Sequence, residues 1–249
     1  MCDAQGLTFE ISDLGRMSYA DAYAEQERHH AEVLAARDAG GALAGRVLTV
    51  VHDPVITVSR RRGAANHVLL PPEMLAERGI TLEATDRGGD VTYHGPGQLV
   101  VYPILDLKRL RLRLHEYMRL LEQSVIDGVA GFGVEGFRDP DATGVWVAGR
   151  SAQADERSPG VPPAAKICAM GVRVRRWISM HGLALNVHTD LEHFGLIVPC
   201  GLAGRPVTSL AAQLGPSVSP SVDEVRAALL PALVQRLQDH QRIARDAEA

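Results

Sequence analysis

Lysine is almost absent from this chain: Lys108 and Lys166 stand against 24 arginines. Arginine fills nearly every cationic position and does not give up its proton at working pH, so a retained lysine marks a place where proton exchange is wanted. The bland alternative is a solvated surface amine. Cysteine is also scarce. Cys2, Cys168 and Cys200 make no C-x-x-C pair and no disulfide framework, so reduced thiols and a cytoplasmic setting are expected. No apolar run is long enough to span a bilayer, and the first 25 residues hold charges and no signal-peptide core. A net charge of −4 supplies no global field for nucleic acid or for a membrane surface. The motif H-E-x-x-H is missing, and the spacing of His94, His181, His188 and His193 fits no zinc pattern, so no metal is expected. No G-x-x-x-x-G-K-[ST] loop points to nucleotide hydrolysis. What remains is a chain of 249 residues, 46% hydrophobic and 22% charged, enough for a real core. Residues 1–249 are expected to form a single domain.

The pattern mixes helices and strands without regular β-α-β alternation, which predicts an α+β fold. Ser18 to Asp38 reads as a helix capped by Ser18 and stopped by Gly40-Gly41. Arg46–His52 and Val55–Ser59 read as a hairpin around Asp53-Pro54. A short helix opens at Pro71-Pro72 and ends near Gly79, followed by a strand over Ile80–Thr85. Val91–Tyr93 and Gln98–Leu105 read as strands around His94-Gly95-Pro96-Gly97. Leu114, Tyr117, Met118, Leu121, Val125 and Val129 fall at helical spacing up to Gly131. Short strands are expected at Val134–Phe137 and Gly144–Val147, a paired set at Ile167–Val174 and Ser179–Val187, and a last helix over Asp223–His240 with a kink at Pro231. The Pro/Gly/Ser-rich stretch 148–165 reads as a mobile insertion loop. Gly131 to Gly136 matches G-x-G-x-x-G, but a helix precedes it and a strand follows, the reverse of a dinucleotide site.

Three features carry chemistry. Arg87 to Gly97 is dense in glycine and polar residues, and paired glycines let a ligand approach exposed backbone N–H groups; an ordinary pair of β-turns is the competing reading. Cys200 sits in Val198-Pro199-Cys200-Gly201, a turn that presents the thiol at a strand end. Most lone cysteines are packed core residues, as Cys168 in Ile167-Cys168-Ala169-Met170 reads. Lys166 opens a strand, where an ammonium near Cys200 would lower the thiol pKa. Basic clusters at Arg60–Arg62, at Lys108–Arg113 and at Arg173, Arg175 and Arg176 are solvated faces or local landing sites for an acidic partner.

Arg87-Gly88-Gly89-x-Val91-Thr92-Tyr93-His94-Gly95-Pro96-Gly97-Gln98, Lys166-Ile167-x-Ala169-x-Gly171-Val172, His181-Gly182-Leu183-Ala184-Leu185-Asn186 and Pro199-Cys200-Gly201 with Val207-Thr208-Ser209-Leu210 together resemble the octanoyl-[acyl-carrier-protein]:protein octanoyltransferases, the lipoate–protein ligase B family. The motifs occur in family order, and the similarity spans most of residues 10–240. The resemblance implies mixed sheets with flanking helices, as in biotin and lipoate protein ligases. It implies octanoyl transfer from acyl carrier protein to a lysine of lipoyl domains, including those of 2-oxoacid dehydrogenases and the glycine cleavage H protein. It implies a cytoplasmic monomer with no cofactor, and no nucleic-acid or membrane partner.

Carried over residue by residue, the nucleophile matches Cys200 and the activating lysine matches Lys166. The substrate-binding segments match Arg87, Gly88, Gly89, Asp90, Val91, Thr92, Tyr93 and His94; Ala169, Met170 and Gly171; and Gly182, Leu183 and Ala184. Two positions depart from the family: stretch 148–165 is longer than expected, and Cys168 replaces a small residue without a thiol, placing a second thiol near the site. Three rivals stay open: an ATP-dependent ligase, a Cys/His hydrolase with His94 or His181 as base, and an acyl-binding module without catalysis.

Overall fold

The computed structural model describes residues 7–149, 164–198 and 205–246. Cys2, Cys200 and nearly all of the predicted insertion loop lie outside them. The ends of that loop are strand instead: Ala148 closes one strand and Ala164-Ala165 open another.

Among the described residues, ten strands form two sheets. They are β1 (Thr8–Met17), β2 (Leu43–His52), β3 (Val55–Ser59), β4 (Thr81–Thr85), β5 (Val91–His94), β6 (Gln98–Leu105), β7 (Gly136–Arg138), β8 (Val145–Ala148), β9 (Ala164–Arg175) and β10 (Ile178–Asn186). The larger sheet has the order β1-β2-β6-β10-β9-β8-β7, and the smaller β4-β3-β5. Helices α1 (Tyr19–Asp38), α2 (Pro72–Ala76), α3 (Leu114–Ala130), α4 (Leu210–Leu214) and α5 (Val222–Asp246) flank them. This is the α+β architecture read from the sequence.

Local chemistry sets several boundaries as expected. The Ser18 side chain accepts from the Asp21 N–H at 3.1 Å, and Gly40 takes the left-handed φ of +68° beyond the end of α1. Strand β9 pairs antiparallel with β10 from Arg175/Ile178 to Cys168/Leu185. Gly131–Gly136 runs from the end of α3 into the first residue of β7, so the glycine match is a helix exit. Helix α5 continues through Pro231.

One expected pairing is wrong. β2 and β3 do not form a hairpin: β2 pairs with β1 and β6, while β3 pairs parallel with β4 and antiparallel with β5. Asp53-Pro54 carries the chain from one sheet to the other, and Gly95-Pro96-Gly97 carries it back between β5 and β6. A local turn signal reports a change of direction and not the partner of the strand that follows. β1 escaped the sequence reading because it is an edge strand in which Phe9 alone is fully buried.

The main core lies between the large sheet and α3 with α5, around Leu99, Val101, Tyr117, Leu121, Ile167 and Leu229. A second core packs α1 on the other face through Ala22 and Val33. A third, around Ile56, Leu75 and Tyr93, sits under the small sheet.

Candidate active site

A cavity opens where the two sheets meet. It encloses about 770 Å³ of space, part of it open to solvent. β5 contributes Val91, Thr92 and His94, and β6 contributes Gln98, Val100 and Tyr102 on one face of the strand. β9 contributes Lys166, Ala169, Met170 and Gly171, and β10 contributes His181 to Ala184 and Asn186. Arg87 and Gly89 close one side; Tyr19, Phe194 and Val207 complete the wall. Most sequence-predicted site residues therefore converge on one space. Gly88, Asp90 and Tyr93 are not in its wall. The Gly88 N–H donates to the Val172 carbonyl at 3.0 Å, buried Asp90 contacts His67 Nδ1 at 2.8 Å, and the Tyr93 hydroxyl is hydrogen-bonded to His193 at 2.8 Å in the third core.

Glycine is required where β9 meets the Arg87–Asp90 turn. A Cβ on Gly171 would stand 2.5 Å from the Gly88 carbonyl oxygen, so any side chain there would push the turn off the strand. At the opposite turn Gly97, with φ +80°, lets its carbonyl accept from the Val187 and His188 N–H groups at 3.1 and 3.0 Å and from the Thr189 hydroxyl at 3.1 Å.

Lys166 is half-buried and faces Trp146, its neighbour on β8, with Nζ 4.8 Å from the ring centroid. The Arg205 guanidinium lies 3.8 Å from the same centroid and is ion-paired to Asp139. Trp146 is itself fixed, being 1% exposed with its indole N–H donating to the Ala142 carbonyl at 3.0 Å. The sequence reading missed this platform, although Trp146 is one of only two tryptophans. The backbone of Lys166 is pinned to the chain that leads out of the Cys200 segment. Its N–H donates to the Pro206 carbonyl at 2.9 Å, and its carbonyl accepts from the Thr208 N–H at 2.9 Å. Thr208 continues a polar chain: its carbonyl accepts from Asn186 Nδ2 at 3.0 Å, Asn186 Oδ1 from Gln98 Nε2 at 2.9 Å, and Gln98 Oε1 from His94 Nδ1 at 2.7 Å. Four separated sequence motifs are thus one hydrogen-bonded unit.

The polar end of the cavity is a cluster of imidazoles and phenols. His52 lies between Tyr19 (centroids 5.5 Å apart) and His94 (5.6 Å), with its Nε2 2.6 Å from the Tyr102 hydroxyl. His181 has φ +58°, a left-handed conformation inside a strand, and its N–H donates to Gln26 Oε1 at 2.8 Å. Its Nε2 is 2.9 Å from Asp86 Oδ1; Asp86 is also ion-paired to Arg173. Burial, together with the Arg87 and Arg173 charges, pushes the His181 pKa down to about 3. Burial pushes His52 down to about 4, and burial with the neighbouring His52 pushes His94 well below its ordinary range. All three are neutral near pH 7, so His181 donates from Nε2 to Asp86. A histidine so far below neutrality is a poor general base, which counts against the Cys/His hydrolase.

These shifts set an acid response. A histidine held neutral in the folded state but titrating near 6.5 when unfolded leaves the unfolded chain with more protons between those values. For His52, stability is complete above about pH 6.5 and falls as pH drops toward about 4, by ~3 kcal/mol across that window. Denaturant titrations from pH 7.5 to 4 should show this slope, and His52→Asn should flatten it.

Cys168 is fully buried, and burial pushes its thiol far above the ordinary range. It is a core residue, as its strand context suggested, and the second thiol expected near the site is buried and held protonated. Among the described residues no group of His, Cys, Asp and Glu is arranged to hold a metal ion, and no helix is long and apolar enough to cross a membrane.

Comparisons with known proteins give the family and the fold. Residues 19–234 match the family model of the lipoyl protein ligase A/B catalytic domain. The chain belongs to that family. Within it, the chain is 46% identical over 215 residues to a protein of Solibacter usitatus, covering 86% of each, and 41% identical over 208 residues to one of Parabacteroides distasonis, covering 84% of this chain and 90% of the relative. Both relatives are named octanoyltransferase, and membership at this level makes this ligase-family chain an acyltransferase. Solved structures show the same fold at low identity. The bipartite lipoate protein ligase of Thermoplasma acidophilum superposes with a TM-score of 0.65 at 17% identity, covering 93% of this chain and 84% of its own. The biotin protein ligase of Aquifex aeolicus, with biotin and ATP, gives 0.54 at 13% identity, covering 94% and 72%.

Proposed function

We propose that this protein transfers an octanoyl group from octanoyl-acyl carrier protein to a lysine of a lipoyl domain, through a thioester on Cys200, with Lys166 moving the proton. The observation that carries the reading is the position of Lys166: its side chain lines the cavity, and its backbone is bonded on both sides to the chain emerging from the Cys200 segment.

The Cys200 thiolate attacks the thioester carbonyl carbon. The bond to the carrier's sulfur breaks, and that sulfur takes a proton from the Lys166 ammonium. The acceptor lysine, entering as a neutral amine, then attacks the Cys200 thioester. It forms the amide, gives its proton to neutral Lys166 and releases the Cys200 thiolate. Both groups end as they began. One thioester is exchanged for another and then for a more stable amide, so no ATP is consumed. Arg87, Gly89, Thr92 and the glycines of β9 and β10 bound the reacting end. The apolar wall of Val91, Val100, Met170, Leu183 and Ala184 takes the acyl chain. Burying six or seven methylenes supplies roughly 5 kcal/mol at about 0.8 kcal/mol each. The whole chain acts as one catalytic domain, a cytoplasmic monomer, and lipoyl domains such as those of 2-oxoacid dehydrogenases and the glycine cleavage H protein are its acceptors.

Incubation with octanoyl-acyl carrier protein and a lipoyl domain, without nucleotide, should give an octanoylated lipoyl domain by mass. A strict requirement for ATP would indicate an adenylating ligase. Release of free octanoate without an acceptor would indicate a thioesterase.

A further inference from the structure

Of the three basic clusters, one borders the cavity. We infer that the loop Arg60-Arg61-Arg62 is the docking surface for an acidic face of the carrier protein that delivers the acyl thioester; this rests on the donor reading above. The three arginines are exposed and form no ion pair among the described residues.

Their loop is held between the two segments that frame the site. On one side the Ser59 N–H donates to the Asp90 carbonyl at 3.2 Å, the Ser59 hydroxyl donates to the Gly89 carbonyl at 3.0 Å, and the Arg61 N–H returns to that hydroxyl at 3.2 Å. On the other side the His67 carbonyl accepts from the Val198 N–H at 2.8 Å, and the Leu69 N–H donates to the Leu196 carbonyl at 2.9 Å. Val198 precedes Cys200 by two positions in the sequence. The His67 ring, 2.8 Å from Asp90 Oδ2, joins the two sides.

The other clusters lie elsewhere. Lys108–Arg113 adjoins Arg175-Arg176 through the Leu107 N–H, which donates to the Trp177 carbonyl at 2.8 Å. From Lys166 to Arg175, β9 runs about 30 Å at about 3.3 Å per residue. Arg173, grouped with them in the sequence, is occupied by Asp86.

Three guanidinium groups with no ion pair among the described residues, on a chain of net charge −4, make a local positive field, suited to steering an acidic partner and fixing its register. Leu69, two positions beyond His67 and 54% exposed, supplies an apolar contact beside them.

The test compares two donors, octanoyl-acyl carrier protein and octanoyl-N-acetylcysteamine, with Arg60→Glu/Arg61→Glu/Arg62→Glu. The variant should raise KM for the carrier-bound donor about tenfold and lose the salt dependence of that KM, while the rate on the small thioester stays within about twofold. An unchanged carrier KM, or an equal loss on both donors, overturns the proposal. So does a comparable KM rise from Lys108→Glu/Arg109→Glu/Arg175→Glu/Arg176→Glu, or arginine-dependent binding to anionic vesicles with no change in carrier KM. If the wild-type protein uses octanoyl-coenzyme A but not the carrier thioester, the donor reading itself fails, and the docking proposal with it.

Discussion

Lys166→Arg should fold normally and lose turnover by about 10²- to 10⁴-fold, the usual contribution of a positioned proton-transfer group. Arginine preserves the cation over Trp146 and the backbone bonds to Pro206 and Thr208. It removes the ability to cycle between charged and neutral forms, because a guanidinium stays protonated throughout the working range. A structural role for the charge alone therefore predicts near-normal activity in this variant, and a proton-shuttle role predicts its loss. Lys166→Met loses both. Comparing the two variants in single-turnover acylation and in acceptor transfer separates charge from proton exchange. Full turnover by Lys166→Arg in both half-reactions removes the shuttle from the mechanism.

Cys200→Ser should lower turnover about 10³-fold or more, since a hydroxyl lacks the thiolate's nucleophilicity near neutral pH. Cys168→Ala is the informative control. Cys168 has no exposed surface, and its thiol is held protonated by burial, so its removal should cost stability through a small cavity and leave turnover in place. The opposite pattern, with Cys168 essential and Cys200 dispensable, would require the core around Ile167 and Leu185 to open before reaction.

Much of this architecture is legible in the residues, for reasons that differ by element. Ser18, Gly40 and Gly131 mark helix ends because capping is local chemistry, and β9 with β10 is legible because two apolar runs flank a short turn. The pairing of β3 is not. Its partners β4 and β5 lie well along the chain, and the Asp53-Pro54 turn looks the same whether the next strand folds back or joins another sheet. β1 is hidden because an edge strand buries too little to show alternation. The site follows the same division. The glycine turn, Lys166 and the β10 motif can be read as short motifs, and they converge on one cavity. The supports come from distant positions: Trp146 under Lys166, Asp86 on His181, and His52 between Tyr19 and His94. Each is an ordinary residue until tertiary packing gives it a partner.

The left-handed backbone of His181 and the neutral imidazoles around it also show what the pocket excludes. With His52, His94 and His181 all kept uncharged, the cavity's polar end offers directed hydrogen bonds without fixed imidazolium charge. That would suit the thioester carbonyl and acyl chain of the proposed donor, with Lys166 as the proposed proton carrier.

The most direct measurement is the intact mass of the protein after brief exposure to octanoyl-acyl carrier protein, without acceptor and without nucleotide. The thioester mechanism predicts a single added octanoyl group that hydroxylamine removes, that maps to the peptide containing Cys200, and that is absent from Cys200→Ser. No adduct during active turnover, or a labile adduct that persists in Cys200→Ser, would contradict it.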